Sequence, residues 1–218
     1  MKDIAMQPVM IPLEFIAAFT APNVFNPWRD TDPMDMPYNN QSARRIRLSR
    51  HFDVEPKLLL IGEAPGYQGC HFSGIPFTNE KLILDGAIPR VHVTGRLTTR
   101  PRPWCEPSAT IVWRTLHELD LAEKVVMWNA FAWHPYKSGN PLSNRAPTRA
   151  ELEQGRPVLM LVLEYFNGVP IVPVGRVAEK TLKVMGIKTL PAVRHPSMGG
   201  ATEFRNMMKS VVWQNLDK

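Results

Sequence analysis

Short apolar runs, each bounded by turn residues and each leading toward a segment of helical character, set the pattern of this chain. Four of them stand out, at 57–61, 125–128, 171–174 and 190–193, with helical stretches expected at 110–119, 148–166 and 176–184. Strands spaced by helices imply parallel pairing with right-handed crossovers, so the pattern predicts an α/β fold. Thr148 followed by Glu151 has capping-box spacing, and Gly186 sits where the third helix should stop. Ahead of the first strand, 22–40 reads as an irregular wrap and 41–50, QSARRIRLSR, as a short basic helix. No internal repeat interrupts this order.

The turns at the strand ends are the informative part. Gly62-Glu63-Ala64-Pro65-Gly66 comes after the first strand, Asn129 ends the second, Gly175 opens a helix after the third, and His195-Pro196-Ser197 comes after the fourth. In an open parallel sheet, ligands bind outside the carboxyl ends of the strands. Polar or glycine-bearing turns at all four ends therefore predict a site along that edge.

Each turn has two readings. The glycines of GEAPG let backbone approach a ligand closely while Glu63 is held at the strand end, or the turn is structural alone. Phe77, in the proline-fixed segment Ser73 to Thr78, is either a core residue or a plate on which a flat heterocycle stacks. Asn129 ends an apolar strand, where its amide either forms a turn or reads the edge of a ligand. His195, before a proline, is either a loop hydrogen-bonder or a group that stabilises a developing anion.

Composition narrows the class. A length of 218 residues suits one domain over 1–218, with the wrap and basic helix in 1–50 and an arginine-rich insertion at 85–104. The formal net charge of +6 favours a polyanionic partner without requiring one. The pair Cys70 and Cys105 excludes both a disulfide framework and a four-cysteine cluster, which points to a reducing, cytoplasmic setting. The start of the chain has neither the apolar run nor the cleavage site of an export signal, and no stretch reaches membrane-spanning length. The 21 prolines lie mostly outside the apolar runs, as in a protein with long ordered loops around a compact sheet.

Taken in order, these segments resemble the uracil-DNA glycosylase superfamily, and most closely its iron-sulfur class. The resemblance rests on GEAPG, Gly74 to Phe77, Asn129, Asn144-Arg145-Ala146-Pro147 and His195-Pro196-Ser197, and runs from about Lys57 to Ser210. It implies a three-layer α/β/α sandwich around a central four-stranded parallel sheet. It also implies an enzyme that flips uracil out of DNA and hydrolyses its N-glycosidic bond without metal or other cofactor. Phe77 would stack on the base, Asn129 bond its N3 and O4 edge, and His195 donate to O2, while Glu63 positions water. Gly62, Ala64, Gly66 and Tyr67 would complete the uracil pocket. Arg96, Arg100 and Arg102 of the insertion would face DNA, and Ser197, Met198 and Gly199 would enter the minor groove, with Met198 as the wedge that fills the vacated stack. The expected partner is uracil-containing DNA, bound by a monomer with no membrane and no obligate protein partner.

Three departures qualify the resemblance. The cluster cysteines are absent, so the loops are expected to be held by packing alone. Ala64 stands where the best-known class has an aspartate, leaving Glu63 as the only acid in the turn. Gly66 stands where that class has the tyrosine that shuts out the thymine methyl, with Tyr67 one place later, which suggests a roomier pocket. These departures leave two alternatives, a lesion-binding protein with weak turnover and a glycosylase for another deaminated base such as hypoxanthine.

Overall fold

A computed structural model describes residues 13–216. Residues 1–12, which hold most of the segment expected to lack an export signal, lie outside the described residues, as do 217–218. The first elements are α1 (Leu13–Ala18), β1 (Val24–Phe25), α2 (Gln41–Phe52) and β2 (Leu58–Gly62). They are followed by α3 (Cys70–Ser73), α4 (Glu80–Leu84), α5 (Pro107–Glu118), β3 (Val125–Asn129) and β4 (His134–Pro135). The chain closes with α6 (Arg149–Tyr165), β5 (Ile171–Pro173), α7 (Arg176–Val184) and α8 (Ala201–Asn215). Among the described residues no helix is long and apolar enough to cross a membrane.

The first apolar run becomes the middle strand of a parallel sheet in the order β3-β2-β5. Successive side chains of a strand point to opposite faces, and here both faces are covered. Leu58, Leu60, Val125 and Met127 pack with α5 and α8 through Trp113, Phe204 and Met208. Leu59, Ile61, Val126 and Trp128 pack on the other side with Leu48, Val162 and Leu182 of α2, α6 and α7. Helices on both faces of a mainly apolar sheet explain why the strand sequences read as runs rather than as alternation.

The expected fourth strand is a correction. The segment 190–193 lies beside β5 through Leu190 N–H to the Ile171 carbonyl (2.8 Å) and Val193 N–H to the Pro173 carbonyl (2.9 Å). Its only ladder contact is a parallel bridge between Val174 and Val193. Pro173 and Pro191 lack amide protons, so a full ladder cannot form there. The sheet therefore has three strands and an irregular edge. A small antiparallel pair, β1 with β4, is additional and ties Phe25 to His134.

Helix boundaries follow their caps. Thr148 Oγ1 accepts from Glu151 N–H, and Glu151 in turn accepts from Thr148 N–H, completing the capping box at the start of α6. Pro107 occupies the first turn of α5, which begins three residues before the expected 110. In α2, expected as a basic helix, Arg44 and Arg47 turn inward and are buried. Arg44 binds Asp35 at 2.8 Å and Arg47 donates to the Ser73 carbonyl at 2.7 Å, so they clamp the wrap rather than present charge.

Candidate active site

Gly62 and Asn129 are register partners at the carboxyl end of the sheet. A Cβ on Gly62 would lie only 2.3 Å from Phe77 Cζ and 2.6 Å from Asn129 Oδ1. The phenyl ring and the amide thus converge on a backbone that has to be bare. Phe77 reaches this position with φ of 51°, in the left-handed region that bulky residues avoid. The preceding Gly74, at φ of 75°, passes close to Arg44, where a Cβ would lie 2.7 Å from that residue's own Cβ. The loop from Ser73 to Thr78 is held by Ser73 Oγ, which donates to the Thr78 carbonyl at 2.7 Å.

Asn129 is 2 % exposed, and its Nδ2 has no hydrogen-bond partner. A buried donor left unpaired costs about 1–3 kcal/mol, so such a group calls for a partner, either a ligand atom or an ordered water. His195 stands on the neighbouring strand edge, its ring centroid 6.2 Å from that of Phe77. Ser197 N–H donates to His195 Nδ1 at 3.2 Å. Because Nδ1 accepts, the proton of the neutral ring resides on Nε2. Burial, and then the nearby Arg194 charge, lower the pKa of His195 and favour this neutral, donating form. Gly175, at φ of 89°, makes room for it: a Cβ there would come within 3.2 Å of His195 Cβ.

Of these, His195 and Gly175 line a cleft of about 930 Å³, together with Glu63, Ala64, Gly66, Asn144 and Ser197, among others. Gly62, Tyr67, Phe77 and Asn129 are not among its lining residues; Phe77 and Asn129 are packed against Gly62. Burial raises the pKa of Glu63, which is half-buried. Its backbone carbonyl accepts from Phe131 N–H at 3.0 Å, tying the GEAPG turn to the end of β3. Met198 projects beside the cleft, 91 % exposed and at φ of 53°. Among the described residues no three His, Cys, Asp or Glu side chains come together as a metal-binding group.

A family model described as the uracil DNA glycosylase superfamily matches residues 49–217. The chain belongs to that superfamily. The crystal structure of wild-type Pedobacter heparinus SMUG2 is similar in fold, with a TM-score of 0.66 at 15 % identity, covering 94 % of this chain and 97 % of that one. No curated protein matches the chain.

For this superfamily member, several expectations change. Gly66 does not open the pocket. A Cβ there would lie 3.3 Å from Asn144 Nδ2 and 3.3 Å from Glu106 Oε1, so these two side chains fill the space a larger residue would take. Asn144 is fixed by accepting Tyr67 N–H on Oδ1 at 3.0 Å, while the Tyr67 ring sits edge-on against Trp104, 5.3 Å away. Glu106, which lines the cleft, is not legible in the sequence: it sits at the N-cap of α5 with no motif around it. Burial raises its pKa, partly opposed by a hydrogen bond from Ser108.

The loops are not held by packing alone. His71 Nδ1 faces His134 Nδ1 at 2.9 Å, His71 Nε2 faces Asp32 Oδ2 at 3.0 Å, and His134 Nε2 donates to the Ser143 carbonyl at 2.9 Å. This buried chain links the wrap, α3 and the 143–145 turn that carries Asn144. Both Nε2 atoms face acceptors and so carry the protons of the neutral rings; the facing Nδ1 atoms share a hydrogen bond only when one ring takes up a second proton.

The 85–104 insertion also differs from a free DNA-facing loop. The fully buried Glu80 accepts from the backbone N–H groups of Leu97, Thr98 and Trp104, from Thr98 Oγ1 and from Arg96 Nε. Burial alone would raise its pKa, but these donors hold the carboxyl below its usual range. Arg96 is therefore committed to the interior. Arg100 lies over the Trp104 ring at 3.5 Å, and Arg102 is exposed.

Proposed function

We propose that this protein is a DNA glycosylase that extrudes uracil into the cleft and hydrolyses its N-glycosidic bond. Membership of the superfamily supports the glycosylase; the unpaired Asn129 Nδ2 is the observation that carries the uracil reading. Uracil offers an acceptor at O4 beside a donor at N3, the complement of a carboxamide's Nδ2 and Oδ1. Phe77 supplies the stacking face. The bond breaks toward a sugar cation and an anionic base, so a donor placed at O2 gains strength as charge develops there. His195, with its proton on Nε2, has the tautomer for that role, and Glu63 is the carboxylate available to orient water or to stabilise the cation. Gly62, Ala64 and Gly66 bring backbone close to the base, and Asn144 and Glu106 bound it where Gly66 has no side chain.

Matched oligonucleotides carrying uracil, hypoxanthine or thymine opposite guanine test this reading. Excision of uracil at least about a hundredfold faster than of either other base is expected, the scale of one well-placed donor. Preferential release of hypoxanthine or thymine, or binding without turnover, would replace it with one of the alternatives.

Ser197, Met198 and Gly199 are proposed to enter the minor groove, with Met198 filling the gap left by the extruded base. Its exposure and left-handed backbone, followed by Gly199 at φ of 78°, give it no packing role in the core. Met198→Ala is expected to slow excision from duplex DNA by about tenfold or more, but excision from single strands by less than about twofold. Equal losses on the two substrates would remove the wedge. Arg100 and Arg102 remain candidate phosphate contacts.

A further inference from the structure

A second depression, of about 540 Å³, lies between α6 and α7. Its floor is apolar, including Leu152, Val177 and Met185, and Arg149, Arg156, Arg176 and Lys180 also line it. The only acid lining it is Glu153, which sits 3.7 Å from Arg156. Among the described residues, Arg149, Arg176 and Lys180 make no ion pair.

Two features indicate what this groove accommodates. Arg149 and Arg176 occupy the first positions of α6 and α7, where the helix dipole disfavours a cation unless an anion lies nearby. The groove also continues the cleft: Arg176 and Val177 line both, and the chain passes from Ala146 in the cleft to Pro147 in the groove. Arg176 and Lys180 are four residues apart, about 6 Å along the helix, so they share one face.

We propose that this groove is a strand-binding subsite, in which the DNA backbone on one side of the extruded nucleotide runs between α6 and α7. Phosphates lie against Arg149, Arg156 and Lys180, and the sugars rest on the apolar floor. The inference rests on the glycosylase reading above, which places the extruded nucleotide in the adjoining cleft. A polyanionic strand fits the groove better than an acidic peptide because the strand is already anchored next door.

The test uses the whole chain and single-stranded oligonucleotides whose uracil has either two or eight nucleotides on its 5′ or its 3′ side. The comparison is with the combined variant Arg149→Gln, Arg156→Gln and Lys180→Gln; Arg176 is retained because it also lines the cleft. The unmodified protein is expected to gain about tenfold in kcat/KM when one flank, and only one, is lengthened. The dependence on salt should steepen by about 2 log units per log unit, from three contacts at roughly 0.7 each on single strands. The variant should lose both gains while excising uracil from the short substrate at the unmodified rate. An equal gain in the variant, or no gain from either flank, would overturn the subsite. Failure of both proteins on every substrate would instead overturn the glycosylase reading, and the subsite with it.

Discussion

His195→Ala and Asn129→Ala are each expected to lower single-turnover excision of uracil by about a hundredfold or more, since one donor aimed at a developing anion contributes about 2.7–4 kcal/mol. What separates catalysis from architecture is the accompanying change in stability. Asn129 Nδ2 is buried without a partner, so deleting it removes an unsatisfied donor rather than a hydrogen bond. The melting temperature of Asn129→Ala should therefore stay level or rise while activity collapses. Asn129 as a mere turn-former requires the reverse, a less stable protein with normal activity per folded molecule. For His195 the side chain's partners lie in its own turn, at Ser197, so its removal should likewise leave the fold intact. Near-normal rates in both variants would dismiss the proposed base contacts.

Gly62→Ala should be as damaging as losing either contact, although it adds a single methyl group. That methyl would overlap Phe77 Cζ at 2.3 Å and Asn129 Oδ1 at 2.6 Å, distances that real Cβ atoms do not adopt. Neither neighbour can retreat easily: Phe77 is held in a left-handed conformation by its loop, and Asn129 is fixed by its strand. A misplacement of about 1 Å can cost a hundredfold in rate. Excision by Gly62→Ala is expected to fall by at least that factor, with circular dichroism showing a folded protein. Retention of more than a tenth of the activity would mean that the stacking plate and the amide are not set by this close approach.

The strand-end motifs are legible in the sequence because they combine two local signals, an apolar run and a turn. β2, β3, β5 and the capped α6 are readable for that reason. The segment at 190–193 has the apolar run but lies beside Pro173 and Pro191, whose missing donors depend on pairing that a single run does not display. α8 is absent from the expected elements although Phe204, Met208, Val211 and Val212 recur at helical spacing. Its N-cap is Gly200, which has no side chain to cap with, so no local signal marks where that helix begins. Glu80, Glu106, His71, His134 and Asp32 are invisible in the sequence for a deeper reason. Each is a polar residue with at least one side-chain neighbour 16 or more positions away along the chain, so its burial is decided only when the loops close. Arg96 departs from expectation on the same account: in sequence it is one of several arginines in a loop, and in space it neutralises Glu80.

The arrangement around Glu80 has a consequence for altering the length of this protein. An exposed loop can be trimmed at small cost because water replaces what is removed. Among the described residues, the segment Arg96 to Trp104 supplies all the hydrogen bonds to the Glu80 carboxylate, whose surroundings admit no solvent. Shortening the loop alone would strand a charge inside the protein. A chimaera or miniaturised form would have to exchange the carboxylate and the loop together, as one inherited module.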